Sequence, residues 1–453
     1  MRDVMELELA RFRSANPAAG PVVLGRVVAC DGGLVEVSGL PLPIGSLGAI
    51  AGEDGAQALA EVIGFRHGHS LMMLLGDTQL LQPRAVVRAL GSPGIVRVGD
   101  GLLGRAVNAL GEPIDGGPAL DLCDSWPLAG KRDGALERAP VVEPFDSGVR
   151  AINGLTMMGI GQRLGVIAGS GVGKSVLIDC IAGHAVADVM VVALIGERAR
   201  EVSDFVARHM ADVQRGRIVV VAVPADHAPN LRLRGAQYAS AIAEHFRSQG
   251  KRVVLVLDSL TRVAHAAREL ALMLGEPGAA RGYPPSALAA ITKLVERAGN
   301  SARSGGAVTG VYTVLADGDD TNDPVVDTAR AILDGHIVLS RDLAQRGHYP
   351  AIDVPSSLSR VMDDVADPAM RDAAREVRAL IAAREDSREL VMMGAYRAGA
   401  DPVLDRALHH TARIDGFLHQ ARGEAIGLAQ SIAQLQDLAQ TTRTIDAPGA
   451  DDA

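Results

Sequence analysis

The octapeptide Ala168-Gly169-Ser170-Gly171-Val172-Gly173-Lys174-Ser175 leaves little freedom in how the chain around it folds. An apolar run, Leu164 to Ile167, precedes it, and a helix-forming stretch, Val176-Leu177-Ile178, follows. A strand, a glycine-rich loop ending Gly-Lys-Ser and a helix together make a phosphate-binding loop. Backbone N–H groups of such a loop point inward at phosphate oxygens, and the helix N-terminus adds partial positive charge. The residues expected to cradle a nucleotide are Gly169, Ser170, Gly171, Val172, Gly173, Lys174, Ser175 and Val176. Lys174 is placed to reach the β- and γ-phosphates, and the Ser175 hydroxyl to ligate Mg²⁺. Ala168 stands where the strict pattern has its first glycine, and a small residue is expected to fit there.

Composition narrows the setting. A chain of 453 residues exceeds one ordinary core, so two or three domains are expected. At 48% hydrophobic and 22% charged residues the balance is globular. The net charge of −9 and the 3% aromatic content speak against nucleic-acid binding, which favours basic surfaces and stacking platforms. The only lysines are Lys131, Lys174, Lys251 and Lys293, which makes the placement of one in the loop informative. Cys30, Cys123 and Cys180 lie far apart, with no metal spacing or disulfide framework, as suits a reducing cytosol. No window reaches the roughly 20 apolar residues of a membrane span, and residues 1–20 lack a signal-peptide core.

The chain divides into four stretches. Residues 1–20 place Met5, Leu9 and Phe12 at helical spacing, which reads either as a partner-docking arm or as a solvated terminus. Residues 21–90 show short alternating runs punctuated by glycines, the rhythm of a small antiparallel β-barrel. Residues 91–365 begin with a connector rich in glycine and proline. The apolar runs Val189 to Ile195, Ile218 to Val223, Val253 to Leu257 and Val308 to Leu315 then alternate with helical patterns. That alternation is the mark of an α/β fold, a mostly parallel sheet covered on both faces. Residues 366–453 read as a C-terminal helical bundle ending in a polar tail.

Further parts of a hydrolytic site are present. The run Val253 to Leu257 ends in Asp258, which a buried strand delivers beside the loop, where it can hold the Mg²⁺ hydration shell. A capping Asp at a strand end is the plainer alternative. Glu197 follows the run Val189 to Ile195 and could polarise an attacking water; a surface pair with Arg198 is the alternative. Arg262 and Arg360 could each neutralise charge on a transferring phosphoryl group, or serve as structural ion-pair partners.

At these residues the chain resembles the flagellar and type III secretion ATPases, relatives of the catalytic subunits of rotary ATP synthases. The similarity rests on Gly196-Glu197-Arg198-Ala199-Arg200-Glu201-Val202, Asp258-Ser259-Leu260-Thr261-Arg262, Arg281-Gly282-Tyr283-Pro284-Pro285-Ser286 and Asn322-Asp323-Pro324-Val325 through Arg341. It covers roughly residues 21–420. The resemblance implies ATP and Mg²⁺ as ligands and a homohexameric ring with sites between subunits. It implies Glu197 as general base, with Lys174 and Ser175 on phosphate and metal and Asp258 in the metal shell. Arg198 and Arg262 match family positions around the phosphates and base, Arg360 matches an arginine finger entering the neighbouring site, and Tyr349 matches the aromatic residue packed on adenine. The sequence departs from the family pattern at Ala199 and at Val223-Pro224-Ala225-Asp226.

The expected function is ATP hydrolysis that energises protein export through a type III apparatus. The flagellar branch is favoured by Gly394-Ala395-Tyr396 and by Glu424 to Ile432. The implied partners are a central stalk protein, a stator or regulator, export chaperones with their substrates, and an export gate at the inner membrane. The implied location is cytoplasmic and peripheral to that membrane. An injectisome ATPase is the alternative, followed by an ATP synthase catalytic subunit, a hexameric RNA translocase and a non-catalytic ring subunit.

Overall fold

Alternating side chains build the first of two units, which divide the chain between Ile95 and Val96. The computed structural model describes residues 23–52, 56–76, 81–90, 94–131, 134–210, 216–316 and 323–443. The expected arm at 1–20, Asn322 and most of the polar tail lie outside them. Strands β1 (Leu24–Asp31), β2 (Leu34–Ser38), β3 (Leu47–Ala51), β4 (Gln57–Arg66), β5 (His69–Leu74) and β6 (Val86–Leu90) form a closed barrel in the order β1-β2-β5-β4-β3-β6. All its pairings are antiparallel. Val35, Val37, Ile50, Val62, Met72 and Val87 fill it completely. Closure leaves no unpaired edge, so a sheet this small does not expose backbone for aggregation. The barrel expected from the alternating runs is present.

The second unit is built on strands that, apart from the antiparallel pair at one edge, are apolar without alternation. They are β7 (Ala106–Val107), β8 (Arg163–Ala168), β9 (Val189–Ile195), β10 (Ile218–Val223), β11 (Arg252–Asp258), β12 (Ala307–Leu315), β13 (Gly335–Leu339) and β14 (Ile352–Ser359), in the order β14-β13-β8-β12-β11-β9-β10-β7. Every pair in this series is parallel except β13 with β14. All residues of β9 and β10 are buried, which requires cover on both faces and explains their valine and isoleucine content. Helices α1 (Arg150–Leu155), α2 (Lys174–His184), α3 (Ala199–Met210), α4 (Pro229–Ser248) and α5 (Leu260–Met273) belong to this layer. The connector contributes β7 to the sheet edge, a role its glycine and proline content does not announce.

Helices α6 (Pro368–Asp386), α7 (Pro402–His409), α8 (Thr411–Leu418) and α9 (Leu428–Thr441) complete the unit. Asp367 and Asp401 cap α6 and α7, each followed by proline at the first helical position. Met370, Ala373, Ala374, Val377, Leu380 and Ile381 form the buried stripe of α6. They belong to the same hydrophobic cluster as Val166, Val192 and Val256 of the sheet. Among the described residues no helix is long and apolar enough to cross a membrane.

One buried charge pins the connector to the sheet's helices. Glu244 of α4 is 2% exposed, accepts from the Trp126 indole at 2.8 Å, and pairs with Arg297 through Nε at 2.8 Å and Nη2 at 3.1 Å. Removing one partner of a buried pair leaves the other uncompensated. Glu244→Ala is therefore expected to lose about 3–5 kcal/mol in urea unfolding, with Trp126 fluorescence shifted toward that of a hydrated indole.

Candidate active site

The parallel strands β8, β9 and β11 end at one edge of the sheet, and their carboxyl ends supply the site. After Ala168 the chain turns through the glycine-rich loop and enters α2 at Lys174. Gly173 is the N-cap with φ 95°, a left-handed value that a Cβ would strain, and that Cβ would stand 3.2 Å from the Tyr349 ring. No side chain caps α2, so its first amides are left for a ligand. Ser175 is exposed in the first turn, while the Val172 side chain is buried in the core.

Lys174 reaches across to both other strands. Its Nζ lies 3.1 Å from Glu197 Oε1 and makes a short ion pair with Asp258 Oδ1. The Thr313 hydroxyl of β12 donates to the same Asp258 oxygen at 2.6 Å. Glu197 and Asp258 are 9% and 4% exposed. Gly196 (φ 73°) makes the turn out of β9, and a Cβ there would come within 2.8 Å of Arg262 Cβ. Only glycine therefore lets Glu197 and Arg262 share this corner.

Burial sets the electrostatics. It opposes the charge on Lys174, but the Asp258 and Glu197 carboxylates outweigh it and hold the ammonium above its ordinary pKa. Burial and then the Asp258 charge push the Glu197 carboxyl upward, against the pull of Lys174. The result is a charged lysine and a carboxyl poised to accept a proton more readily than an ordinary glutamate.

A cavity of about 620 Å³ opens over these groups, lined by the loop and by Glu197, Arg198, Asp258 and Arg262. Arg262 Nε is buried with no hydrogen-bond partner, a donor awaiting an anion. The protein donors for a metal are one hydroxyl, Ser175, and one carboxylate, Asp258. Among the described residues no cluster of three or more His, Cys, Asp or Glu could hold an ion alone. That set fits Mg²⁺, which keeps waters and takes phosphate oxygens as its other ligands.

Beside this cleft lies an apolar recess of about 310 Å³, lined by Gly173, Val176, Leu177, Cys180, Tyr349 and Gln420, among others. It is sized and surfaced for a flat heterocycle, with Tyr349 as one wall. Gln420 belongs to the segment between α8 and α9, and its amide donates to the Tyr349 carbonyl at 3.0 Å. The sequence reading missed this segment's part in the site. Thr313, Asp179, Arg208 and Arg422 were missed as well, since none sits in a recognisable local pattern. Arg360 is elsewhere: it follows β14, is exposed, and donates from Nη2 to the Arg330 carbonyl at 3.0 Å. It lines neither cavity.

Comparison with known proteins agrees with this fold. Residues 148–359 match the nucleotide-binding domain of the ATP synthase alpha/beta family, and residues 366–437 match the C-terminal domain of the type III secretion ATPase EscN. The flagellum-specific ATP synthase of Pseudomonas aeruginosa is 46% identical over 424 residues, 93% of this chain and 94% of its own. The type 3 secretion system ATPase of Sinorhizobium fredii is 42% identical, covering 92% of each chain. The assembled ATPase EscN of enteropathogenic Escherichia coli superposes with a TM-score of 0.85 at 38% identity, covering 92% of this chain and all of that one. EscN in complex with its central stalk EscO gives 0.83 at 37% identity, with the same coverage.

The lysine balances two buried carboxylates, so its loss has a pH signature. Lys174→Met is expected to cost about 3–5 kcal/mol at pH 8. The penalty shrinks toward pH 5, where the upward-shifted Glu197 takes a proton and one unbalanced charge disappears. Urea unfolding at the two pH values measures the difference.

Proposed function

This chain belongs to the family of flagellum-specific ATP synthases and type III secretion ATPases, and on that premise we propose a division of labour among its site residues. The protein is a type III export ATPase, an ATP-hydrolysing enzyme. The joint placement of Lys174, Glu197 and Asp258 at one sheet edge carries the residue assignments. The loop amides and Lys174 bind the β- and γ-phosphates of ATP, whose negative charge replaces the carboxylates as the partner of the ammonium. Glu197, released from Lys174, accepts a proton on its carboxylate from the attacking water. Its elevated pKa makes it a better base than an ordinary glutamate. Arg262 and Arg198 line the same cavity and neutralise charge on the phosphates. Ser175 and Asp258 would hold Mg²⁺, which would supply neutralisation of the phosphate oxygens when bound. Tyr349 stacks on the base in the apolar recess.

Arg360 works in the neighbouring subunit of a homohexamer. Its exposure, and its absence from both cavities of its own chain, support that assignment. A central stalk partner follows by analogy with the EscN–EscO complex. We assign the chain to the flagellar system on the runs Asn322-Asp323-Pro324-Val325, Gly394-Ala395-Tyr396 and Glu424 to Ile432, with the secretion branch as the alternative, since the flagellar relatives at 38–46% identity bracket the 42% of the Sinorhizobium secretion relative. The location is the cytoplasmic face of the export apparatus, with a regulator, chaperones and their cargo, and the membrane gate as further partners. Deleting the gene tests the system: loss of flagellar filaments supports the flagellar assignment, and a fully motile deletion strain refutes it.

Glu197→Gln is expected to lower ATP turnover by at least about 10²-fold while nucleotide still binds, because only the proton acceptor changes. In the wild type, kcat/KM should fall on the acid side with a midpoint above the ordinary glutamate range, since the deprotonated form is the active one. Steady-state rates from pH 4.5 to 8 check both. Arg360→Ala and Lys174→Ala subunits, each inactive alone, should recover activity when mixed in one ring, because each spoils a different face of a shared site. Mixed rings that stay inactive contradict the assignment in trans.

A further inference from the structure

Asp179 gathers cations from two other parts of the chain. It lies in α2, is 8% exposed, and faces His209, Arg208 and Arg422. His209 Nε2 is 3.0 Å from Oδ1, Arg208 Nη2 is 3.2 Å from Oδ2, and Arg422 Nη2 is 2.5 Å from Oδ2. Burial raises the Asp179 pKa, but the His209 hydrogen bond and the two guanidinium charges more than reverse this, so the carboxylate stays ionised. Arg208 and His209 sit in the last turn of α3, the helix that begins just after Glu197. Arg422 lies 243 residues from Asp179, in the segment between α8 and α9. It lines both the phosphate cleft and the apolar recess, and its side chain is 52% exposed. Two guanidiniums share the Asp179 carboxylate, and Glu201 and Asp204 line the same cleft beside them. The same segment is anchored two residues earlier, where Gln420 Nε2 donates to Gly148 O at 2.8 Å.

We propose that Asp179 is a positioning residue that holds Arg422 over the junction of base recess and phosphate cleft, so that the C-terminal helices control nucleotide release. Arg422 keeps one edge on Asp179 and presents its outer face to the ribose and phosphates. Movement of α8 and α9 pulls Arg422 from Asp179 and opens the rim, and nucleotide bound beneath it resists that movement by the same free energy. This clasp rests on the reading that the cleft holds ATP.

The test is stopped-flow release of a fluorescent N-methylanthraniloyl-ADP from the full-length protein. Arg422→Gln and Asp179→Asn should each release it about tenfold faster, the weight of one charge-assisted contact. The double variant should be no faster than either single one, because both remove the same clasp. Arg422→Lys, which keeps the charge, should restore most of the retention, and the loss should appear in KM for ATP rather than in kcat. Unchanged release in Arg422→Gln, or additive effects in the double variant, overturns the proposal. Lys174→Ala separates the two readings. Normal binding of the analogue there refutes the nucleotide assignment and the clasp together. Lost binding there, with wild-type release from the Arg422 and Asp179 variants, refutes the clasp alone.

Discussion

One ammonium group balances two buried carboxylates, and the arrangement of the second unit serves that contact. Lys174, Glu197 and Asp258 come from three separate segments, and each is brought to the site by the end of a buried parallel strand. A parallel sheet needs crossover helices, and those helices cover both faces and exclude water from the strands. The exclusion is what makes the charges count. In bulk water a lysine between two carboxylates would be an ordinary ion cluster; here burial pushes the Glu197 carboxyl up, and the two carboxylates hold the Lys174 ammonium up against its burial.

What the sequence revealed follows from how local each signal is. The phosphate loop was legible because its residues are contiguous and because glycine, lysine and serine each have a separate physical task. Asp258 and Glu197 were legible as residues at the ends of apolar runs, although that position alone did not distinguish a capping or surface carboxylate from a catalytic one. The barrel declared itself through alternation over six strands. Strand β7 did not, because two residues carry no period. Asp179 and Arg422 were invisible for a different reason. Their meeting depends on the C-terminal helices folding back against α1, and a single aspartate in a helix carries no mark of a partner 243 residues away. Tyr349 came from the family resemblance, and the structure places its ring against Gly173.

The site draws on both the sheet and the C-terminal helices. The phosphate side is built from strand ends and the glycine-rich loop that leads into α2. The base side is closed by Tyr349 and by the segment carrying Gln420 and Arg422, which hydrogen bonds tie to Tyr349, Gly148, Arg150 and Asp179. A nucleotide therefore meets one wall that is set by the sheet and one that follows the helices.

The hydrophobic cluster that begins in the sheet continues into α6, α8 and α9 without interruption. Val377, Leu380, Ile414 and Leu435 are buried in the same mass of side chains as Val166 and Val192. This limits how such a chain can be rebuilt in evolution. A helical region that shares its core with the nucleotide domain cannot be exchanged as a detachable cassette. A new docking surface must be written onto its solvent face, one exposed residue at a time, while the inward face keeps its shape. Diversification of partners in such a protein is thus a matter of surface drift over a fixed interior.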